Sequence, residues 1–195
     1  MNSFEKLKIS LRYYLIGKEF YRAVDALEFA AMYHNGYRKD KVTPEFEHQI
    51  KIAHYLRTLI VNFQYPEETL MAAILHDVTE DYDVSNAIIE AKYGKLTAEA
   101  VNLLDKNGKS ENNYFEAIGN NCIASIVKGA DRMHNLQTMV GVFTQEKQLK
   151  YIDEVERNFL PMLKSARRNF TQQECAYENI KHVLKSQIQL LKMIN

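Results

Sequence analysis

Chain-breaking residues are scarce in this sequence, with seven Gly and three Pro in 195 residues. Tight reversals between strands depend on those two residue types, so a chain this poor in them runs on most easily as helix. The apolar positions agree, since Val24, Leu27 and Ala31 recur at the spacing of one helix face.

Helices are expected over residues 4–15 and 18–35, the second stopped at Gly36. After the loop YRKDKV, Thr43 is placed to cap a helix with Pro44 at its first position and Glu45 and Glu47 in its first turn, ending near residue 62. Pro66, followed by Glu67 and Glu68, opens the helix that carries LMAAILHDV. Asp83 is expected to cap 84–93 before Gly94, and Thr97 to cap 98–106 before Asn107-Gly108. Helices at 111–118, 121–140, 144–167 (kinked or broken at Pro161) and 171–194 complete one all-α domain, 1–195, a bundle of about nine to ten helices.

Composition narrows the class. With 46% hydrophobic and 26% charged residues the chain is an ordinary globular one, and its zero net charge gives no global basic field for nucleic acid or anionic membrane. No apolar run approaches the roughly 18 residues of a membrane span, and the charged opening MNSFEKLKISLRYYLIGKEF does not read as a signal peptide. The expectation is a cytoplasmic protein without nucleic-acid or membrane partners. Cys122 and Cys175, lacking a CxxC pattern, are expected as buried free thiols. Met32, Met71 and Met139 are expected in the core.

One stretch does not fit a plain amphipathic helix. AILHDVTED, residues 73–81, begins as an apolar face and ends in a cluster of ionisable groups, which are costly to bury unless paired or bound to a metal. On a helix His76 lies over Glu80 and Asp77 over Asp81. That makes two layers: His76 and Asp77 to share an ion, then Glu80 and Asp81 to handle its water. Partners exist elsewhere in the chain: His48 in EFEHQIKIAH, and Asp131 in VKGADRMHNLQTM with Asn135 on the same helical face. Two imidazoles and two carboxylates suit Mn, Fe or Zn better than Ca.

The order His48, His76-Asp77, Asp131 resembles the HD-domain superfamily, H…HD…D. Within it the chain is similar to the alarmone, (p)ppGpp, hydrolases related to the N-terminal domain of the Rel/SpoT proteins. The resemblance rests on Arg38-Lys39 nine to ten residues before His48, Pro44 four before it, HDVTED at 76–81 and ADRMHNLQT at 130–138, and spans about residues 20–165. It implies one Mn²⁺ on His48, His76, Asp77 and Asp131, with Zn or Fe as alternatives. It implies that Glu80 and Asp81 position and activate the attacking water. It also implies that Arg38 and Lys39 face the base and phosphates, that Asn135 contacts ribose or phosphate, and that Lys150 lies near a phosphate-binding basic position. Tyr151 is placed to stack on a base.

The reaction implied is removal of the 3′-pyrophosphate from guanosine tetra- or pentaphosphate. The chain departs from the family pattern at Gln49, where Pro is usual, and in the acidic loop RKDKVTPEFEH. Two other readings stand beside this one: an HD phosphohydrolase acting on an adenosine alarmone, a dNTP or NADPH, and a nucleotide-binding regulator without turnover. The intact Glu80-Asp81 pair weighs against the regulator.

Overall fold

A computed structural model describes residues 2–194, and among them no strand occurs. The helices are α1 (Ser3–Gly17), α2 (Tyr21–Tyr33), α3 (Glu47–Leu56), α4 (Pro66–Leu75), α5 (Val78–Asp81), α6 (Asn86–Tyr93), α7 (Lys95–Leu104), α8 (Glu111–Gly119), α9 (Cys122–Thr138), α10 (Gln145–Glu154), α11 (Leu160–Asn169) and α12 (Glu174–Ile194). Each of the ten expected helices has a counterpart. The additional segments arise where two of them are divided.

Local chemistry explains most of the boundaries. Asn2 and Glu5 form a reciprocal capping box on α1, and Asn121 caps α9 by accepting from the backbone of Ile123 and Ala124. Pro66 is the first residue of α4, and Glu67 beside it accepts from the backbone amides of Arg22 and Ala23. One carboxylate thus caps α2 from a neighbouring helix, a role its sequence position does not suggest. Gly94 ends α6 at φ +84°, a conformation that suits glycine.

α4 is the centre. Every residue from Thr69 to Leu75 is fully buried, as expected of a helix that is apolar all round. It packs against α2, α3, α7 and α9, while α12 lies along α9. At that second contact a Cβ on Gly129 would stand 2.8 Å from Ile180 Cγ2, so only glycine allows so close an approach. Among the described residues no helix is long and apolar enough to cross a membrane.

Several boundaries differ from expectation. Thr43 and Pro44 do not open α3, which starts at Glu47. Thr43 instead closes a turn on Asp40, its hydroxyl donating to Oδ2 at 2.5 Å, and Pro44 forms an isolated bridge with Tyr37. Ser85, not Asp83, precedes α6, and Thr97 is buried within α7 rather than capping it. The expected helix 144–167 is interrupted by a π-helical turn at Val155–Phe159, and Pro161 falls in the first turn of α11, where its missing N–H is tolerated. Cys122 is buried but Cys175 is exposed, and Met32 is exposed on α2 while Met71 and Met139 are buried.

Candidate functional site

Three packed helices deliver to one point three side chains that could ligate a metal ion. His48 comes from the first turn of α3, His76 from the C-terminal end of α4 and Asp131 from the middle of α9. One potential ligand atom from each lies within 4.8 Å of the other two, and all three residues are buried.

His76 is held in a defined tautomer. Its Nδ1 lies 2.9 Å from the Ala73 carbonyl, which can only accept, so Nδ1 carries the proton and Nε2 presents a lone pair. That Nε2 is buried without a hydrogen-bond partner. Leaving such an atom unsatisfied is costly, and a divalent cation between the two imidazoles and the carboxylate would satisfy it. The donor set therefore fits a divalent metal.

Asp77 borders the same point, its Oδ2 3.1 Å from His76 Nε2. In a continuous helix these adjacent side chains would diverge by roughly 100°. They converge because α4 ends at His76, Asp77 takes φ −97° and ψ −6°, and α5 starts afresh. Gln49 Nε2 donates to the same Oδ2 at 2.8 Å.

The surrounding hydrogen bonds orient the cluster. His48 Nε2 lies 3.2 Å from Asp131 Oδ1, and its Nδ1 lies 2.8 Å from His134 Nδ1, a contact in which one ring must donate and the other accept. Burial, with His48 and Arg38 nearby, pushes His134 down to about 3, so it is neutral and available as the acceptor. Asp131 Oδ2 pairs with the Lys128 ammonium at 3.3 Å. Burial alone would raise the Asp131 pKa, but Lys128, His48 and His76 outweigh it and hold the group well below the carboxylate range. Burial opposes a charge on His76, yet Asp77 and Asp131 push it up to about 9.

Above this cluster opens a cavity of about 720 Å³, a size suited to a small ligand. Its lining carries both signs of charge. Glu45, Asp77, Glu80 and Asp81 contribute acid, while Arg38, Lys39, Lys106 and Lys128 contribute base. Burial, then Asp77, Glu80 and Glu45, lift the Asp81 carboxyl to about 6, and burial raises Glu80 as well. Arg38 Nη2 donates to Asn135 Oδ1 at 3.1 Å and Thr138 Oγ1 at 3.3 Å, and Asn135 Nδ2 donates to Asp131 Oδ1 at 2.6 Å. The cationic loop is thereby tied to the ligand cluster through one asparagine.

Of the residues singled out in the sequence, His48, Asp77, Asp131, Glu80, Asp81, Arg38, Lys39, Asn135 and Tyr151 line this cavity, and His76 lies buried at its floor. Lys150 does not line it. Its ammonium is exposed and pairs with Glu146 at 2.7 Å. Lys147 does not line the cavity either but lies beside the lining residue Phe143, with Nζ 4.0 Å from the ring centre. Lys39 lies 5.2 Å from the centre of the same ring, and burial together with Lys147 lowers its pKa. Sequence reasoning also missed the contacts of Gln49 and Lys128. Lys128, one turn before Asp131 on α9, carried a signal in its spacing.

Comparison with known proteins agrees with this geometry. Residues 26–185 match the profile of the HD domain. A Synechocystis protein named "Probable guanosine-3′,5′-bis(diphosphate) 3′-pyrophosphohydrolase" is 32% identical over 146 residues, 69% of this chain and 19% of that protein. The "Bifunctional (p)ppGpp synthase/hydrolase SpoT" of Escherichia coli is 29% identical over 174 residues, 83% of this chain and 24% of that protein. The chain thus spans about a fifth to a quarter of the length of these relatives. A solved structure described as "A metazoan ortholog of SpoT hydrolyzes ppGpp and plays a role in starvation responses" superposes with a TM-score of 0.64 at 26% identity, covering 82% of this chain and 93% of the other.

Proposed function

Because the chain belongs to the HD-domain family, we propose that it is a metal-dependent hydrolase that removes the 3′-pyrophosphate from (p)ppGpp, yielding GDP or GTP. The observation that carries the proposal is the buried Nε2 of His76, without a well-formed hydrogen bond, beside His48 and Asp131 under a cavity lined by both cations and carboxylates. Relatives named for this reaction support the choice of substrate.

His48, His76, Asp77 and Asp131 would hold one Mn²⁺. When bound, such an ion supplies Lewis acidity that makes water a nucleophile near neutral pH and offsets phosphate charge. The remaining work falls to the chain's own groups. Asp81, with its pKa lifted to about 6, is ionised at neutral pH yet basic enough to accept a proton from the attacking water, and Glu80 beside it orients that water. The water oxygen bonds to the phosphorus attached to the ribose 3′ oxygen. The bond from that phosphorus to the 3′ oxygen breaks, and the 3′ oxygen takes up a proton as pyrophosphate leaves. Arg38, fixed by Asn135 and Thr138, supplies a fork for phosphate. Lys39 and Lys147 add charge beside Phe143, which with Tyr151 offers aromatic surface to a base.

Asp40 and Glu45 line the cavity close to the cationic loop, and this acidity favours a second reading in which the preferred nucleotide is another one, such as an adenosine alarmone, a dNTP or NADPH. The test is a panel of these nucleotides with ppGpp and pppGpp, assayed with Mn²⁺ and resolved by anion-exchange chromatography. Release of pyrophosphate from ppGpp at the highest kcat/KM is expected. Faster turnover of another nucleotide moves the function to the second reading, and binding without turnover of any moves it to a regulator.

A further inference from the structure

Gln49 follows His48 on α3 and is 1% exposed. A fully buried carboxamide is expensive unless both its ends are used, yet here one end is used and the other is not. Nε2 donates to Asp77 Oδ2 at 2.8 Å, while Oε1 is buried with no partner. The residue accepts an unsatisfied acceptor in order to make one hydrogen bond, and that bond goes to a carboxylate at the candidate metal centre.

Asp77 needs such a partner. It sits at the break between α4 and α5, where its side chain makes no capping hydrogen bond to α5. The other group against Oδ2 is His76 Nε2, at 3.1 Å. Nε2 is itself a candidate ligand atom, since Nδ1 is taken by the Ala73 carbonyl, so it is not a dedicated partner for Asp77. The Gln49 amide comes from a different helix, α3, and its Nε2 donates to Asp77.

We propose that Gln49 is the positioning residue for Asp77. Its buried amide holds Oδ2 in one orientation with a neutral donor, and it thereby tightens divalent-metal binding. An uncharged donor suits the task, since it stabilises the ionised carboxylate without adding a positive charge that would repel the incoming ion. The inference rests on the metal-centre reading above but not on the identity of the nucleotide.

The test is titration calorimetry of Mn²⁺ into the chelator-treated full chain, for wild type, Gln49→Met, Asp77→Asn and the double variant. Methionine keeps the length and volume and removes the donor. Gln49→Met is expected to weaken metal binding on the order of 10- to 100-fold, as loss of a partner to a ligand typically does. If Gln49 acts through Asp77, the same substitution in the Asp77→Asn background changes the dissociation constant by less than about twofold, the signature of coupled sites in a double-mutant cycle. Thermal unfolding of the metal-free proteins shows whether Gln49→Met is folded, and Gln49→Leu serves if it is not. An unchanged dissociation constant in the folded variant, or an equal loss in both backgrounds, overturns the proposal. Wild type that binds Mn²⁺ but leaves ppGpp intact refutes the proposed substrate while the calorimetry still decides the role of Gln49.

Discussion

Asp81 shows how a single residue can serve the site at the expense of the fold. Burial and the neighbouring carboxylates lift its pKa to about 6. A raised carboxylate pKa means that ionisation is disfavoured in the folded state. The stability it confers is present below the unfolded value near 3.9 and is lost as pH rises through about 6. Asp81→Asn should therefore raise the melting temperature of the metal-free protein at pH 7 but not at pH 4, measured by calorimetry. The same substitution, and Glu80→Gln, should leave the metal bound and lower kcat on the order of 10² to 10⁴-fold, the usual worth of a positioned acid or base. Loss of the metal from either variant would make that residue a ligand instead. The residue types of this site were legible in the sequence because His-Asp adjacency and helical spacing are local. The Gln49 contact to Asp77 and the His134 contact to His48 were not, since each depends on how separate helices meet.

Helix boundaries set the geometry that the residues use. The break between α4 and α5 turns Asp77 toward His76, and no Gly or Pro marks it in the sequence. Pro44 read as a helix start because its flanks, Thr43 and Glu45, fit a capping pattern. Asp40 competes for Thr43 and for the backbone amides of Val42 and Thr43, which holds the loop open for Arg38 and Lys39. Caps at Asn2, Asn121 and Thr144 involve only neighbours a few residues away. The contact of α9 with α12 offers a test at this scale. Gly129→Ala should destabilise by about 1–3 kcal/mol, the range for overpacking, because the added Cβ meets Ile180 Cγ2 at 2.8 Å and Leu163 Cδ2 at 3.1 Å. Urea unfolding measures it, and an unchanged midpoint would mean that α12 shifts freely along α9.

For the whole molecule, the zero net charge conceals a cavity lined by many charges of both signs. The all-α class followed from the scarcity of Gly and Pro, whereas the charged lining depends on which side chains the packed helices turn inward. Arg38→Ala and Lys39→Ala should mainly raise KM for ppGpp, with kcat falling less, and the effect should shrink as salt rises because exposed charges are screened. Steady-state kinetics at low and high salt check this, and an unchanged kcat/KM in both variants would make the loop a simple connection. The central claim is that the buried His48, His76 and Asp131 cluster is the metal centre of a pyrophosphohydrolase. The most direct measurement adds Mn²⁺ in sub-stoichiometric steps to chelator-treated protein while following pyrophosphate release from ppGpp. Activity should rise linearly and break at one ion per chain, with His76→Ala flat throughout; full activity in the metal-stripped protein, or a wild type that binds no divalent ion, would contradict it.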